Sequence, residues 1–332
     1  MAQAQKCRIV FMGTPDFAAC SLRRLARWPR GEVVAVYTQP DRPAGRGHKL
    51  SMPAVKKLAL ELGIPVFQPA SLKSAQEEAR LASLAPDVLA VAAYGLLLPD
   101  AVLTIPRMAP VNVHASLLPY WRGAAPIQRA IMDGWQPDAE TGVSIMKILP
   151  ALDSGPVYAQ KRVRIGEHTA GSLHDELAAQ GAALLEDVLN ALVDGTASCQ
   201  EQDHSLATYA AKITRADTHV VWDRPVAQVH AHVRGLSPRP GTRTFLAPEA
   251  AEGFSVLLAP GTPEEGGVGG AAPGTLWRDS LGLRIACADG WYRLSRVRPE
   301  GAREMPVRDL LNGRLRALPS GACGVAVPGG DR

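Results

Sequence analysis

The sequence predicts an α/β protein, with an open, mostly parallel sheet in its first two-thirds and a small β-barrel behind it. Three observations carry this. Short Val/Ile-rich runs alternate with amphipathic stretches up to about residue 193, which implies right-handed crossovers within one sheet. After Asp194-Gly195-Thr196 the character changes, and short alternating runs with Gly/Pro punctuation take over. The length, 332 residues, fits two domains better than one.

The expected strands of the first part are 7–12, 33–38, 88–93, 111–114 and 143–148. Helices are expected at 16–28, 54–62, 73–84 and 127–133, and a long one at 172–193. That last helix lines up Leu173, Leu177, Leu184, Leu185, Val188 and Leu192, and Gly181 on the same face points to a close packing contact. Residues 196–211 are polar and connecting. A short helix at 226–233 ends at Ser237-Pro238-Arg239-Pro240-Gly241. Strands are then expected at 243–247, 255–259, 282–288 and 292–297, with a Gly/Pro/Glu-dense loop over 260–275.

The net charge of +4 is too mild to predict nucleic-acid binding by itself. Of the 36 basic residues 28 are Arg and 8 Lys, which with the abundant Ala, Gly and Pro fits a genomic bias as well as a recognition surface. Five scattered cysteines without a CxxC argue against a disulfide framework or a zinc site. The first residues lead straight into a strand, with no leader-like apolar segment, so the expected location is cytoplasmic, away from membranes.

Chemistry concentrates in Asn112-Val113-His114, where an apolar strand ends. Positions i and i+2 of a strand face one side, so an amide and an imidazole reach a common site. Asp153, in Leu152-Asp153-Ser154-Gly155, follows another apolar strand. It is either a turn residue or a third member that orients and charge-stabilises His114. These groups suit acyl transfer: donors for a developing oxyanion and a proton carrier. No Ser or Cys stands in a nucleophile elbow, so direct transfer to an amine or water is favoured over an acyl-enzyme. Gly13-Thr14-Pro15-Asp16 reads equally as an anion site or as a plain helix start. The stretch 39–50 is too long and too basic for a routine βα connection; its Gly, Pro and basic residues suit a phosphate backbone or an acceptor end, the alternative being a solvated mobile loop. Residues 284–316 hold eight Arg against Asp289, Glu300, Glu304 and Asp309, which fits either nucleic-acid contact or a solvated surface. No histidine pattern suggests a metal site.

These residues resemble the methionyl-tRNA formyltransferase family. The matching pieces are Phe11-Met12-Gly13-Thr14-Pro15-Asp16-Phe17-Ala18, Thr38 to Gly47, Ala93-Tyr94-Gly95-Leu96, Asn112 to Ile127, Glu140-Thr141-Gly142-Val143 and Leu152-Asp153-Ser154-Gly155. The resemblance is tight over about 8–195 and looser to about 318. It implies a Rossmann-like catalytic domain over 1–195, a linker at 196–211, an OB-like tRNA-binding domain over 212–320, and a tail at 321–332. It further implies Asn112, His114 and Asp153 as the catalytic three. Ser116, Leu117, Leu118 and Pro119 would line a site for 10-formyltetrahydrofolate, the formyl donor and co-substrate, with the backbone of Tyr94, Gly95 and Leu96 facing its pterin. Arg46, with Arg42 and Lys49, would meet the acceptor end of the initiator methionyl-tRNA. No metal and no obligate protein partner is expected. The nearest rival is a formyltransferase for an amino sugar nucleotide, against which the basic 39–50 stretch argues. A glycinamide ribonucleotide formyltransferase would be shorter. An RNA-binding scaffold without catalysis would have no need of all three polar residues.

Overall fold

The computed structural model describes residues 6–44, 49–249 and 251–328, with the side chains of Ala44 and Lys49 outside that description. The chain divides into two compact units. One comprises Met1–Pro126, Thr141–Val163 and His174–Ala210, and the other Ile127–Glu140, Arg164–Leu173 and Ala211–Arg332. The division therefore does not follow a single cut near 195, because two early segments belong with the C-terminal part.

Along the chain up to residue 210 the elements run β1 (Cys7–Gly13), α1 (Asp16–Leu25), β2 (Gly31–Tyr37), β3 (Arg42–Ala44), β4 (Lys49–Ser51), α2 (Ala54–Glu61), β5 (Val66–Phe67) and α3 (Ala75–Ser83). They continue through β6 (Val88–Ala92), α4 (Asp100–Leu103), β7 (Ala109–His114), β8 (Arg122–Gly123), α5 (Pro126–Asp133), β9 (Glu140–Lys147), β10 (Val157–Arg164), α6 (Ala170–Asp194) and β11 (Tyr209–Ala210). Seven strands form one sheet in the order β10-β9-β7-β6-β1-β2-β5. The pairs from β5 to β7 are parallel, and β7 with β9 is antiparallel. The expected strands and helices are all present. β10 was not expected, because its middle faces water and its pattern is not apolar (Val157-Tyr-Ala-Gln-Lys-Arg-Val-Arg164).

Both faces of this sheet are covered, since Val10 and Met12 on one side and Ile9 and Phe11 on the other are fully buried. Tyr37, Leu81, Leu89, Val91 and Tyr94 extend the first of these cores. On the opposite face α6 approaches closely. A Cβ on Gly181 would stand 2.8 Å from Val113 Cγ1 and 3.0 Å from Val143 Cγ2, which is the contact its position on the apolar stripe foretold.

The second unit carries α7 (Val226–Gly235), β12 (Thr242–Pro248), β13 (Phe254–Leu258), β14 (Thr262–Glu265), β15 (Thr275–Asp279), β16 (Gly282–Ala286), β17 (Gly290–Arg293), β18 (Arg296–Pro299), β19 (Met305–Pro306), α8 (Val307–Asn312) and β20 (Gly321–Pro328). Nine strands make one curled antiparallel sheet, ordered β14-β17-β16-β15-β20-β12-β13-β18-β19. Its core joins Val229 and Val233 of α7 and Leu310 of α8 to Leu246, Val256, Leu276, Ile285, Tyr292 and Val297. Three expectations change here. The run 292–297 divides into β17 and β18, because Leu294 and Ser295 turn the chain between two partner strands. The Gly-rich 260–275 loop contains β14, paired to β17. The residues from 321 are no tail: β20 lies between β15 and β12, with Cys323 and Ala326 buried. Its Gly and Ala content hid it, since small residues give little β signal yet fit where sheet faces pack closely.

Candidate active site

β7 brings Asn112 and His114 out on one side of the sheet. Val113 between them points to α6 on the other side, so the expected i, i+2 pairing holds. β7 pairs in parallel with β6, Asn112 opposite Val91 and Val113 opposite Ala92. The 93–96 turn therefore leaves the sheet at the same end as His114. Such strand ends are where ligands bind in open α/β sheets.

His114 is buried, and its imidazole has two distinct neighbours. Nε2 lies 3.1 Å from the Trp121 carbonyl oxygen, and Nδ1 lies 3.7 Å from Asp153 Oδ2. A carbonyl only accepts, so neutral His114 carries its proton on Nε2 and leaves Nδ1 unprotonated toward Asp153. The sequence reading gave Asp153 both orientation and charge stabilisation. In the structure the Trp121 carbonyl orients the ring, and the carboxylate stands at ion-pair rather than hydrogen-bond distance.

Asp153 Oδ2 instead accepts the backbone N–H of Gly123 at 2.8 Å. Asp153 has φ +47° and Trp121 φ +53°, and Ala93 beside the end of β6 has φ +43°. Each such left-handed residue other than glycine costs about 1–3 kcal/mol and persists only where its surroundings over-determine it. Two of the three touch His114 through the contacts above.

The turn after β7 is locked from beneath. Ser144 Oγ, on β9, donates to the Ser116 carbonyl at 2.6 Å and accepts the Leu118 N–H at 3.1 Å. Gln160 Nε2 on β10 donates to the Leu118 carbonyl at 2.8 Å and to Ser144 Oγ at 2.9 Å. Ser116 itself is fully buried and donates to the Tyr120 carbonyl. Leu117 is buried against Gly142, where a Cβ would stand 2.6 Å from Leu117 Cδ2. Ser116 and Leu117 thus shape the turn, while Leu118 and Pro119 reach a groove of about 510 Å³ lined also by Tyr158, Gln160 and Gln200.

The ring of Tyr94 belongs to the sheet core, and burial pushes its hydroxyl far above the ordinary tyrosine value. Its carbonyl accepts from Thr14 Oγ1 at 2.8 Å and Gln39 Nε2 at 3.3 Å. Thr14 therefore ties two loops together rather than capping α1, and no side chain caps that helix. Gly13 is small for packing: a Cβ there would meet Ala18 Cβ at 2.6 Å and the Ala92 carbonyl at 3.0 Å.

In the basic stretch, β3 and β4 pair antiparallel, Arg42 opposite Ser51 and Pro43 opposite Leu50. Asp41 anchors the base by accepting from Lys56 Nζ at 2.8 and 2.9 Å and from Gln68 Nε2 at 2.8 Å. Arg42 is exposed and donates to Gln39 Oε1. Arg46, like the rest of 45–48, lies outside the described residues, as does the side chain of Lys49. In the second unit, Arg284 and Arg293 pair with Glu264 and Asp279, Arg296 pairs with Glu304, and Arg314 stacks 3.8 Å over the Phe254 ring. Half of the eight-Arg run is thus engaged within its own unit.

Three residues near the site had no role in the sequence reading. Arg122 is buried, and its Nη2 donates to Gln202 Oε1 at 2.7 Å and lies 3.0 Å from His204 Nδ1. Gln202 in turn reaches the Asp153 turn. Gln202 and His204 lie in the segment expected only to connect, and nothing local in its polar sequence marks them. It is the pairing of β11 with β8 that brings the segment here.

The chain is similar to known proteins along nearly its whole length. Residues 7–189 match the formyl transferase family, and 212–315 match the formyl transferase C-terminal domain. The methionyl-tRNA formyltransferase of Desulfovibrio desulfuricans is 62% identical over 331 residues, 98% of each chain. The protein of that name from Pseudomonas paraeruginosa is 45% identical over 95% of this chain and 98% of its own. Among solved structures, the N-formyltransferase from Helicobacter canadensis, in complex with folinic acid and dTDP-3-aminofucose, shares the fold with a TM-score of 0.61 at 14% identity, over 90% of this chain and 100% of its own. No helix among the described residues is long and apolar enough to cross a membrane. With both family domains matched in order and such relatives along nearly its whole length, the chain belongs to the formyl transferase family, among the methionyl-tRNA formyltransferases.

Proposed function

We propose that the chain transfers the formyl group of 10-formyltetrahydrofolate to the α-amine of initiator methionyl-tRNA, giving N-formylmethionyl-tRNA and tetrahydrofolate for translation initiation. The observation that carries this reading is that Asn112 and His114 alternate onto one side of β7, with the Asp153 carboxylate 3.7 Å from His114 Nδ1.

An unperturbed α-amine has a pKa of about 7.7–8.0, and the adjacent ester lowers it, so a useful fraction is neutral near pH 7. The amine attacks the formyl carbon, and the oxyanion is received by the Asn112 amide, with His114 adding its Nδ1–H once that nitrogen has taken a proton. The new ammonium gives its proton to His114 Nδ1, the unprotonated nitrogen. Asp153, 3.7 Å away, stabilises the imidazolium that results. The proton passes to folate N10 as the C–N10 bond breaks, which restores neutral His114. Holding donor and amine together contributes much of the rate. The donor would lie against the backbone of Gly95 and Leu96, the Tyr94 ring being engaged in the core, with Leu118 and Pro119 shaping the adjacent wall. Arg42, Arg46 and Lys49, all in the basic 39–50 stretch, would meet the acceptor end of the tRNA.

The test offers formyl-folate together with methionyl-tRNA, unacylated tRNA, an amino sugar nucleotide or buffer, and follows folate release. Release with methionyl-tRNA alone is expected. Release with the amino sugar nucleotide would move the chain to another substrate class, and equal release in buffer would make it a hydrolase.

A further inference from the structure

We propose that Gln202 is a positioning residue for the transfer reaction, acting through Asp153; this deepens the reading of the site given above. Its side chain is buried, 7% exposed, in the segment between the two family domains. Both protons of the amide are used on one turn: Nε2 donates to the Asp153 carbonyl at 2.9 Å and to the Gly155 carbonyl at 2.7 Å. The amide thus bridges the residue before and the residue after Ser154, and holds Asp153 at its left-handed φ of +47°. The other end of the same amide is fixed by Arg122, whose Nε and Nη2 donate to Oε1 at 3.2 and 2.7 Å. A planar guanidinium with two donors on one oxygen leaves the amide a single orientation, with its N–H groups toward the turn.

Arg122 is itself part of β8, and its chain neighbours hold the rest of the site. Trp121 presents its carbonyl to His114 Nε2, and Gly123 donates its N–H to Asp153 Oδ2. The segment that contains Gln202 also holds β8 in place: Thr208 Oγ1 accepts the Trp121 N–H at 2.8 Å, the Thr208 carbonyl accepts the Arg122 N–H at 2.9 Å, and the Ala210 carbonyl accepts the Ala124 N–H at 2.9 Å. Residues 202–210 therefore grip both sides of the His114–Asp153 pair, with Gln202 on the Asp153 side. Without its two donors the turn loses the bridge that keeps the carboxylate facing Nδ1.

The test uses the full-length chain and steady-state kinetics with 10-formyltetrahydrofolate and methionyl-tRNA. Gln202→Ala and Gln202→Met are compared in the wild-type and Asp153→Ala backgrounds. Met keeps the length of the side chain and removes both donors, so it separates positioning from packing. Expected for both variants is a kcat about 10- to 100-fold below wild type, the scale of a misplaced catalytic group, with KM for both substrates within about threefold. In the Asp153→Ala background the further loss is expected to be under about twofold, because residues acting as one unit are not additive. Equal fold losses in both backgrounds, or wild-type kcat in Gln202→Met, overturn the proposal. Wild-type turnover in Asp153→Ala alone would remove the role given to Asp153 and with it the group through which Gln202 acts. That result is read separately from the Gln202 variants.

Discussion

The backbone N–H of Gly123 donates at 2.8 Å to Asp153 Oδ2, the same oxygen that stands 3.7 Å from His114 Nδ1. One carboxylate oxygen thus answers to a fixed backbone donor and to the imidazole. In the proposed reaction the backbone bond would set where the negative charge sits beforehand, so that little would need to move when an imidazolium forms.

Gly123→Ala tests this arrangement. Gly123 has φ +115°, and a Cβ there would stand 3.0 Å from the Ala210 carbonyl. The expected outcome is a loss of roughly 1–3 kcal/mol of stability, from strain at a position L-residues rarely adopt. Turnover should also fall, because β8 must shift away from β11. Denaturant titration and kcat together check it, and unchanged values in both would show that β8 tolerates the shift.

His114→Ala and Asn112→Ala should each lower turnover by about 10²–10³-fold, the scale of a lost oxyanion donor, with little change in substrate binding. Asp153→Asn should be at least as damaging while the protein stays folded, since Asn tolerates the left-handed conformation that Asp153 adopts. The check is kcat beside a thermal melt. An Asp153→Asn variant with most of its activity would reduce Asp153 to a turn residue.

Acid should weaken the second unit in two stages. His230 and His232 are held below the ordinary imidazole value of 6.5, mainly by burial. For His230 the exposed Glu167 carboxylate opposes the shift and is outweighed, with Arg234 adding to it; for His232 the Asp217 carbonyl opposes, and Arg224 and Arg129 add. Both rings are therefore neutral when folded. Their contribution is fully present above pH 6.5 and is lost as pH falls from there toward their folded values. Each proton bound only by the unfolded chain steepens the loss by about 1.4 kcal/mol per pH unit. The second stage lies lower. Burial raises the Asp217 carboxyl, but the N–H and O–H of Thr214 and the Arg129 guanidinium outweigh it and hold it at about 2. The His230 hydrogen bond holds Glu167 low as well. These depressed carboxylates stabilise above their unfolded values, and that stability goes as pH falls through the folded ones. Chemical denaturation from pH 7.5 to 5 should show the first stage, and replacing His230 and His232 by Gln should flatten it. An unchanged slope in the double variant would assign the loss to other groups.

Arg46→Ala should weaken productive tRNA binding several-fold and leave formyl-folate binding untouched. The difference from wild type should shrink as salt rises, because phosphate contacts release counterions. Arg46→Lys should restore binding almost fully where a phosphate is met, and only in part where a base edge is read in two-pronged fashion. Normal binding by Arg46→Ala at low and high salt would make this stretch an ordinary connection.

The sequence alone determined the main strands and helices up to residue 193, since each of those buries its own periodic apolar face. It also determined Asn112 and His114 as a pair, because two residues two apart on a strand share a side whatever the strand packs against. Gly181 was legible for a similar reason: a glycine on an apolar helical stripe has few other uses. What lay far apart in sequence was decided by tertiary structure. The Trp121 carbonyl fixes the His114 tautomer, Gly123 fixes the Asp153 carboxylate, and Gln202 reaches back 49 residues to the Asp153 turn. β10 and β20 likewise became strands through their partners, one with an exposed middle and the other too rich in small residues to signal by pattern. Periodicity reports what an element buries along its own length; the partner of a backbone group is chosen by which segments the fold brings side by side.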